Sequence, residues 1–141
     1  MIQTILVALD DTPIAPRVLA VATEIAERFD ARLQLFRAVL VPPEFPAAAA
    51  NAAPDDPLPA HLAEEAREAL LRLAAGNARA NHDPPIIGSG DPWRAINEAA
   101  DHLNVDLIVV GSHLYHFPDQ LLGTVAGSLA NRGTRNVLVV R

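Results

Sequence analysis

Cysteine is absent from the 141 residues, and so is lysine. Without cysteine there is no disulfide framework, no thiolate nucleophile and no cysteine-based zinc site, which agrees with a reducing compartment. All 11 basic residues are therefore arginine. A Walker-type P-loop lysine, a kinase-like phosphate lysine and a Schiff-base lysine are excluded. Long apolar runs are also missing: no stretch approaches the roughly 20 residues that a membrane span needs. Met1 leads into a strand-like run rather than a basic and then apolar leader. The expectation is a cytoplasmic protein with no membrane partner. There is no basic stripe either, and a formal net charge of −6 would repel a nucleic acid.

What is present suits one packed unit. Half of the residues are hydrophobic, enough for a sizeable core in a single domain spanning 1–141. "IQTILVALDD" is a short buried-strand pattern. It is followed by apolar residues Ile14, Val18, Val21, Ala22, Ile25 and Phe29 at helical spacing, with Thr12 as the expected cap and Pro13 at the first helical position. "ARLQLFRAVLV" reads as a second strand. The proline- and alanine-rich stretch 42–59 then reads as a loop or partly disordered insertion within the domain. A second helix is expected over 61–81, carried by Leu62, Ala66, Leu70 and Leu73. "PPIIGSG" predicts a weak third strand, and "DPWRAINEAADHL" a helix capped by Asp91 with Pro92 first. "VDLIVVG" is a nearly continuous apolar strand, a last helix is expected from Thr124 to Arg132, and "NVLVVR" ends the chain as a strand. Strand and helix alternate throughout, which predicts an α/β fold: a parallel sheet with helices on both faces. Ligands of such sheets bind at the carboxyl ends of the strands, where Asp10 and Gly111 fall.

Several motifs carry side chains capable of chemistry. Asp10 and Asp11 could hold Mg²⁺ as paired carboxylates, but the lysine of phospho-receiver domains is missing, and "DDT" lacks the spacing of haloacid dehalogenases. Asp11 is expected to serve the helix dipole and cap, whereas Asp10 is divided between ligand contact and structural hydrogen bonding. "GSGDPW" has Trp93 where a dinucleotide fingerprint needs glycine, so a turn is expected. His113 and His116 lack a third metal ligand. Neither Ser112 nor Ser128 sits in a nucleophile elbow, so no hydrolase is expected. "GSHLYHFPDQLLGT" has a glycine near each end and neither lysine nor arginine between, and its final Gly-Thr would open a helix whose free N–H groups face an anion.

The blocks "ILVALDDT", "GDPWRAINEAADHLNVDLIVVGSH" and "LLGTVAGSLANRGTRNVLVVR", in that order, resemble the universal stress protein family over nearly the whole chain. The resemblance implies a five-stranded parallel Rossmann-like sheet in order 3-2-1-4-5. It also implies a homodimer joined through the last strand, which begins at Asn136 and ends at Arg141. Members that bind ATP carry Gly, two residues, Gly, nine residues, then Gly-Ser or Gly-Thr. Gly111 matches the first glycine, Leu114 occupies the second, and Gly123-Thr124 supplies the final pair one residue early. By position, Ala8, Leu9 and Asp10 would line the base and ribose region beside Ala38. Val110 and Gly111 would bound it, and Gly123, Thr124 and Val125 would meet the phosphates. The implied function is a dimeric stress-response regulator or sensor holding ATP or AMP, with or without Mg²⁺, and with at most slow ATP hydrolysis. Leu114 and the uncharged loop favour a second reading, a dimerisation module of the same type that binds no nucleotide and acts through an unidentified protein partner. A nucleotidyl transferase or ligase would need a His-x-Gly-His or Ser-Gly-Gly motif, and neither is present.

Overall fold

The computed structural model describes residues 1–40, 59–112 and 124–141. Strand and helix alternate along them: β1 (Thr4–Ala8), α1 (Ala15–Phe29), β2 (Arg32–Val39), α2 (Ala60–Ala75), β3 (His82–Ser89), α3 (Pro92–His102), β4 (Leu107–Gly111), α4 (Thr124–Arg132) and β5 (Asn136–Val140). The five strands are all parallel, in the order β3-β2-β1-β4-β5. This is the α/β architecture that the alternation and the resemblance led us to expect.

Strand alternation divides the core into two layers. Ile5, Val7 and Leu9 pack with Val18, Leu19 and Ala22 of α1 and Leu70 of α2. Leu6 and Ala8 pack on the other face with Ile96 of α3 and Val125, Ala126 and Leu129 of α4. The central strand is thus buried on both sides, as a parallel sheet requires. Each large side chain fully buried there contributes about 1.5–3 kcal/mol relative to exposure.

Local structure departs from the sequence expectations at several places. Helix α1 starts at Ala15, with Ile14 as N-cap and Pro16 in its first turn, so neither Thr12 nor Asp11 caps it and Pro13 precedes it. Its buried stripe runs through Ala15, Val18, Leu19, Ala22, Thr23 and Ala26. Phe29, the last of the apolar residues at helical spacing, is 55% exposed. Ile14, Val21 and Ile25 are only partly buried and flank that stripe. Helix α2 ends at Ala75, short of 81, where Gly76 and the turn around Asn77 stop it. Asp91 is the N-cap of α3 with Pro92 next, although its side chain makes no capping hydrogen bond.

The third strand is longer than "PPIIGSG", beginning at His82. Its two prolines lack N–H donors, which suits an edge strand, and the pairing with β2 shifts register between Gln34 and Phe36. The carbonyls displaced by this bulge are taken by side chains: Gln34 Nε2 donates to Pro84 O at 2.8 Å, and Arg67 Nη1 to Pro85 O at 2.9 Å. "GSG" does form the expected turn, with Gly90 at φ +92°. Gly88 has a separate reason, since a Cβ there would lie 2.6 Å from the ring of Phe36.

The amino ends of β1 and β4 are tied by one carboxylate. Asp106 accepts from the backbone N–H groups of Gln3 at 2.8 Å and Thr4 at 3.0 Å. These bonds favour the ionised form and hold its pKa below the ordinary 3.8. Asp101 is lowered too, first by the Thr134 hydroxyl and then by the Arg135 guanidinium. The end of the sheet opposite the candidate site is therefore fixed by fully ionised carboxylates at neutral pH.

Candidate functional site

The chain leaves β1 for β2 on one side and later reaches β4 on the other. The crevice at the carboxyl ends of β1 and β4 is therefore the topological switch point at which open α/β sheets receive ligands. Asp10 and Ser112 lie at this crevice, one beyond each strand. The β1–β4 register pairs Val7 with Val109. Asp10 and Ser112 each follow that last pair by three residues.

Asp10 is anchored on one oxygen. Its Oδ1 accepts from the N–H of Thr12 at 3.0 Å and from the Thr12 hydroxyl at 2.5 Å. This is a turn in which the aspartate side chain takes the place of a backbone carbonyl. Oδ2 is buried and, among the described residues, has no hydrogen-bond partner. Leu9 is held by its own N–H, which donates to Phe36 O at 2.9 Å, so the end of β1 is fixed against β2 up to the residue before Asp10.

Ser112 stands across the crevice. Its backbone N–H donates to Val140 O at 2.8 Å, extending the β4–β5 ladder one residue past Gly111. The residue is 4% exposed, and its Oγ has no partner among the described residues. A buried unpaired hydroxyl costs about 1–3 kcal/mol. The two unpaired polar atoms at the switch point, one an acceptor and one able to donate, are complementary to a ligand carrying hydroxyl and anionic groups.

The other sequence-derived site residues divide by face. Ala8, Ala38, Val110 and Val125 fall in one buried cluster, on the α3–α4 face of the sheet. Leu9 packs on the opposite face against α1, so its side chain is core rather than site wall. Gly111 has a packing reason of its own: a Cβ would lie 3.2 Å from Val18 and 3.3 Å from Ile14. Thr124 opens α4, as expected from the sequence. Leu114, Gly123, His113, His116 and the stretch 42–58 lie outside the described residues.

Two features were missed in the sequence. Thr12 acts on Asp10 rather than on the helix; the Asp-x-Thr spacing at a strand end is the signal that could have found it. Arg37, half-buried within the apolar run of β2, brings a cation to the same edge of the sheet, 3.9 Å from Asp11. It borders a cavity of about 390 Å³ that also meets Asp10, Thr12, Pro13, Pro16 and Leu73. Asp11 therefore pairs with a cation in place of serving the helix dipole. No group of three or more histidine, aspartate or glutamate side chains among the described residues is arranged to hold a metal ion.

The sequence model described as the Universal stress protein family matches residues 1–141. The chain belongs to the universal stress protein family. Universal stress protein A homolog 2 of Coxiella burnetii is 35% identical over 140 residues, covering 99% of this chain and 94% of that protein. The universal stress protein UspA from Lactobacillus plantarum superposes with a TM-score of 0.70 at 25% identity, over 99% of this chain and 97% of that one. A universal stress protein solved in complex with cAMP superposes with a TM-score of 0.67 at 29% identity, over 99% and 97% of the two chains. Universal stress proteins thus share with this chain both the parallel sheet and nearly its whole length. No helix among the described residues is long and apolar enough to cross a membrane.

Proposed function

We propose that this universal stress protein is a dimeric regulator that holds an adenine nucleotide, ATP or AMP, at the crevice between β1 and β4. The observation that carries the reading is the pair of unpaired polar atoms there, Asp10 Oδ2 and Ser112 Oγ. A carboxylate oxygen with a free lone pair suits a ribose hydroxyl, and the start of α4 supplies backbone N–H groups and a favourable dipole for phosphate. The cAMP complex of a relative at 29% identity supports the same ligand class. Ala8 and Ala38 leave room beside Asp10 for the base, Val110 and Gly111 bound the site from β4, and Gly123, Thr124 and Val125 meet the phosphates. Any Mg²⁺ accompanying ATP would be held chiefly by the phosphates, with Asp10 Oδ1 engaged by Thr12 and Oδ2 assigned to the ribose.

The dimer forms through β5. That strand lies at the edge of the sheet, and Val137, Leu138 and Val139 are only partly buried within one chain. An apolar edge strand with free backbone groups is a ready template for pairing with a second copy. Mass spectrometry of small molecules released on denaturing the purified protein tests the ligand. An adenine nucleotide is the expected finding, whereas preparations free of nucleotide that also fail to take one up would leave the protein-contact module as the better account.

A further inference from the structure

We propose that the cavity between the start of α1 and one face of α2 is a second binding site, which takes a small monocarboxylic acid with an apolar body and holds its carboxylate on Arg37. The site is separate from the nucleotide crevice and stands or falls independently of it.

Three observations converge. First, Arg37 follows Leu33 and Leu35 at the period of a strand, which brings it to the α1–α2 face of the sheet. Ala38, Val110 and Val125 lie on the opposite face. Second, the guanidinium of Arg37 is under-used. Its side chain is only 22% exposed, and its one ion-pair partner among the described residues is the exposed Asp11, at 3.9 Å. That distance is beyond hydrogen-bond reach, and no other acceptor among the described residues takes its place. A guanidinium carries five N–H donors in a planar fork, and half-burying such a charge without hydrogen bonds is costly. Third, the cavity of about 390 Å³ that Arg37 borders is otherwise walled mainly by apolar residues, Pro13 and Pro16 at the start of α1 and Ala69, Leu70 and Leu73 on α2. An apolar body with one anionic head matches both the walls and the unused donors. The fork can pair bidentately with a carboxylate or a phosphate. Asp10 and Asp11 border the same cavity, so a singly charged carboxylate meets less repulsion there than a doubly charged phosphate. Arg72 at the rim, paired with Glu68 only at 3.9 Å, adds a second cation.

Calorimetric titration of the wild type with octanoate, octanol and octyl phosphate tests the assignment. It is repeated with octanoate on Arg37→Gln and on Ala69→Phe, which fills the cavity and keeps the arginine, together with melting temperatures of the ligand-free proteins. The wild type is expected to bind octanoate saturably and more tightly than either other probe. Arg37→Gln should weaken octanoate by about 10-fold or more, the range for a hydrogen bond to a charged group, and melt no lower than the wild type. Ala69→Phe should weaken it as well, and saturating AMP should leave octanoate bound. A wild type that fails to bind octanoate at millimolar concentration, or unchanged affinity in Arg37→Gln, would overturn the proposal. Octanol binding as tightly would reduce the site to an apolar surface, and tighter octyl phosphate would make it a phosphate site; either overturns it. Displacement by AMP would put the probe in the nucleotide crevice, and wild-type-like affinity in a folded Ala69→Phe would put it outside this cavity. A lower melting temperature of Arg37→Gln would assign the arginine to the fold, and each of these three results overturns the proposal while leaving the nucleotide reading standing.

Discussion

Thr12 holds Asp10 by two hydrogen bonds to one carboxylate oxygen, a backbone N–H at 3.0 Å and a hydroxyl at 2.5 Å. The second oxygen of Asp10 is thereby turned inward and left without a partner among the described residues. Thr12→Val removes the hydroxyl bond and keeps the shape. It should destabilise the fold by about 0.5–1.5 kcal/mol in urea denaturation and weaken nucleotide binding, while Thr12→Ser restores both. Unchanged affinity in Thr12→Val would mean that Asp10 needs no such anchoring.

Gly88 owes its place to Phe36, whose ring would stand 2.6 Å from an added Cβ. Because Phe36 is almost wholly buried, it cannot swing into solvent. Gly88→Ala should therefore cost about 1–3 kcal/mol through overpacking. Gly90→Ala should cost through its positive φ instead, with no change in packing around Phe36. Near-ultraviolet circular dichroism and thermal melts of the two variants separate the mechanisms.

Strong acid should loosen the amino end of the sheet. Asp101 and Asp106 both have folded pKa values below their ordinary 3.8. Each contributes stability that is present above that value and lost as pH falls through the lower folded pKa. Replacing Asp106 with asparagine should accordingly lower stability at pH 7 and bring the variant and wild type closer together as the pH falls below 4. A gap between them that stays constant from pH 7 to pH 3 would refute the assignment.

Much of the fold was legible because its signals are local and repeated. The continuous apolar runs of β1 and β4 mark strands buried on both faces, and Pro92 after Asp91 marks the start of α3. Helix α1 was placed correctly but misread in detail. Proline at 13 and threonine at 12 are the usual starting residues of a helix, yet Thr12 is drawn to Asp10 and the helix begins at Ala15. Phe29 fits the helical spacing yet ends α1 more than half exposed, because the buried stripe runs through Ala22 and Ala26 instead. For the candidate site, the ends of β1 and β4 were legible from sheet topology alone. The unpaired Ser112 hydroxyl and the pairing of Arg37 with Asp11 are not, since both depend on which side chains meet across elements apart in sequence.

The proposed dimer makes β5 sensitive to proline. Leu138→Pro removes a ladder donor and should convert a dimer into monomer, at some cost to the pairing with β4 as well. Arg141, beyond the last paired residue, offers a milder control. Light scattering at micromolar concentration is expected to give twice the 15.0 kDa chain mass for the wild type. A monomeric wild type would exclude the β5 interface.

The family resemblance puts Leu114 at the position where it implies glycine in members that bind ATP. Leu114→Gly restores backbone freedom without adding charge and should tighten ATP binding. Thr124→Ala, which removes one hydroxyl, should weaken it by about 0.5–1.5 kcal/mol. Equal affinities across wild type and both variants would separate nucleotide binding from the 111–124 segment.

The central claim is that the crevice between Asp10 and Ser112 receives an adenine nucleotide. Calorimetric titration of the wild-type protein, stripped of any bound ligand, with AMP and with Mg-ATP tests it most directly. The account predicts saturable binding to each chain that is abolished or strongly weakened in Asp10→Ala. Absence of binding heat for both nucleotides at millimolar concentration, from a protein that is folded and dimeric, would contradict it.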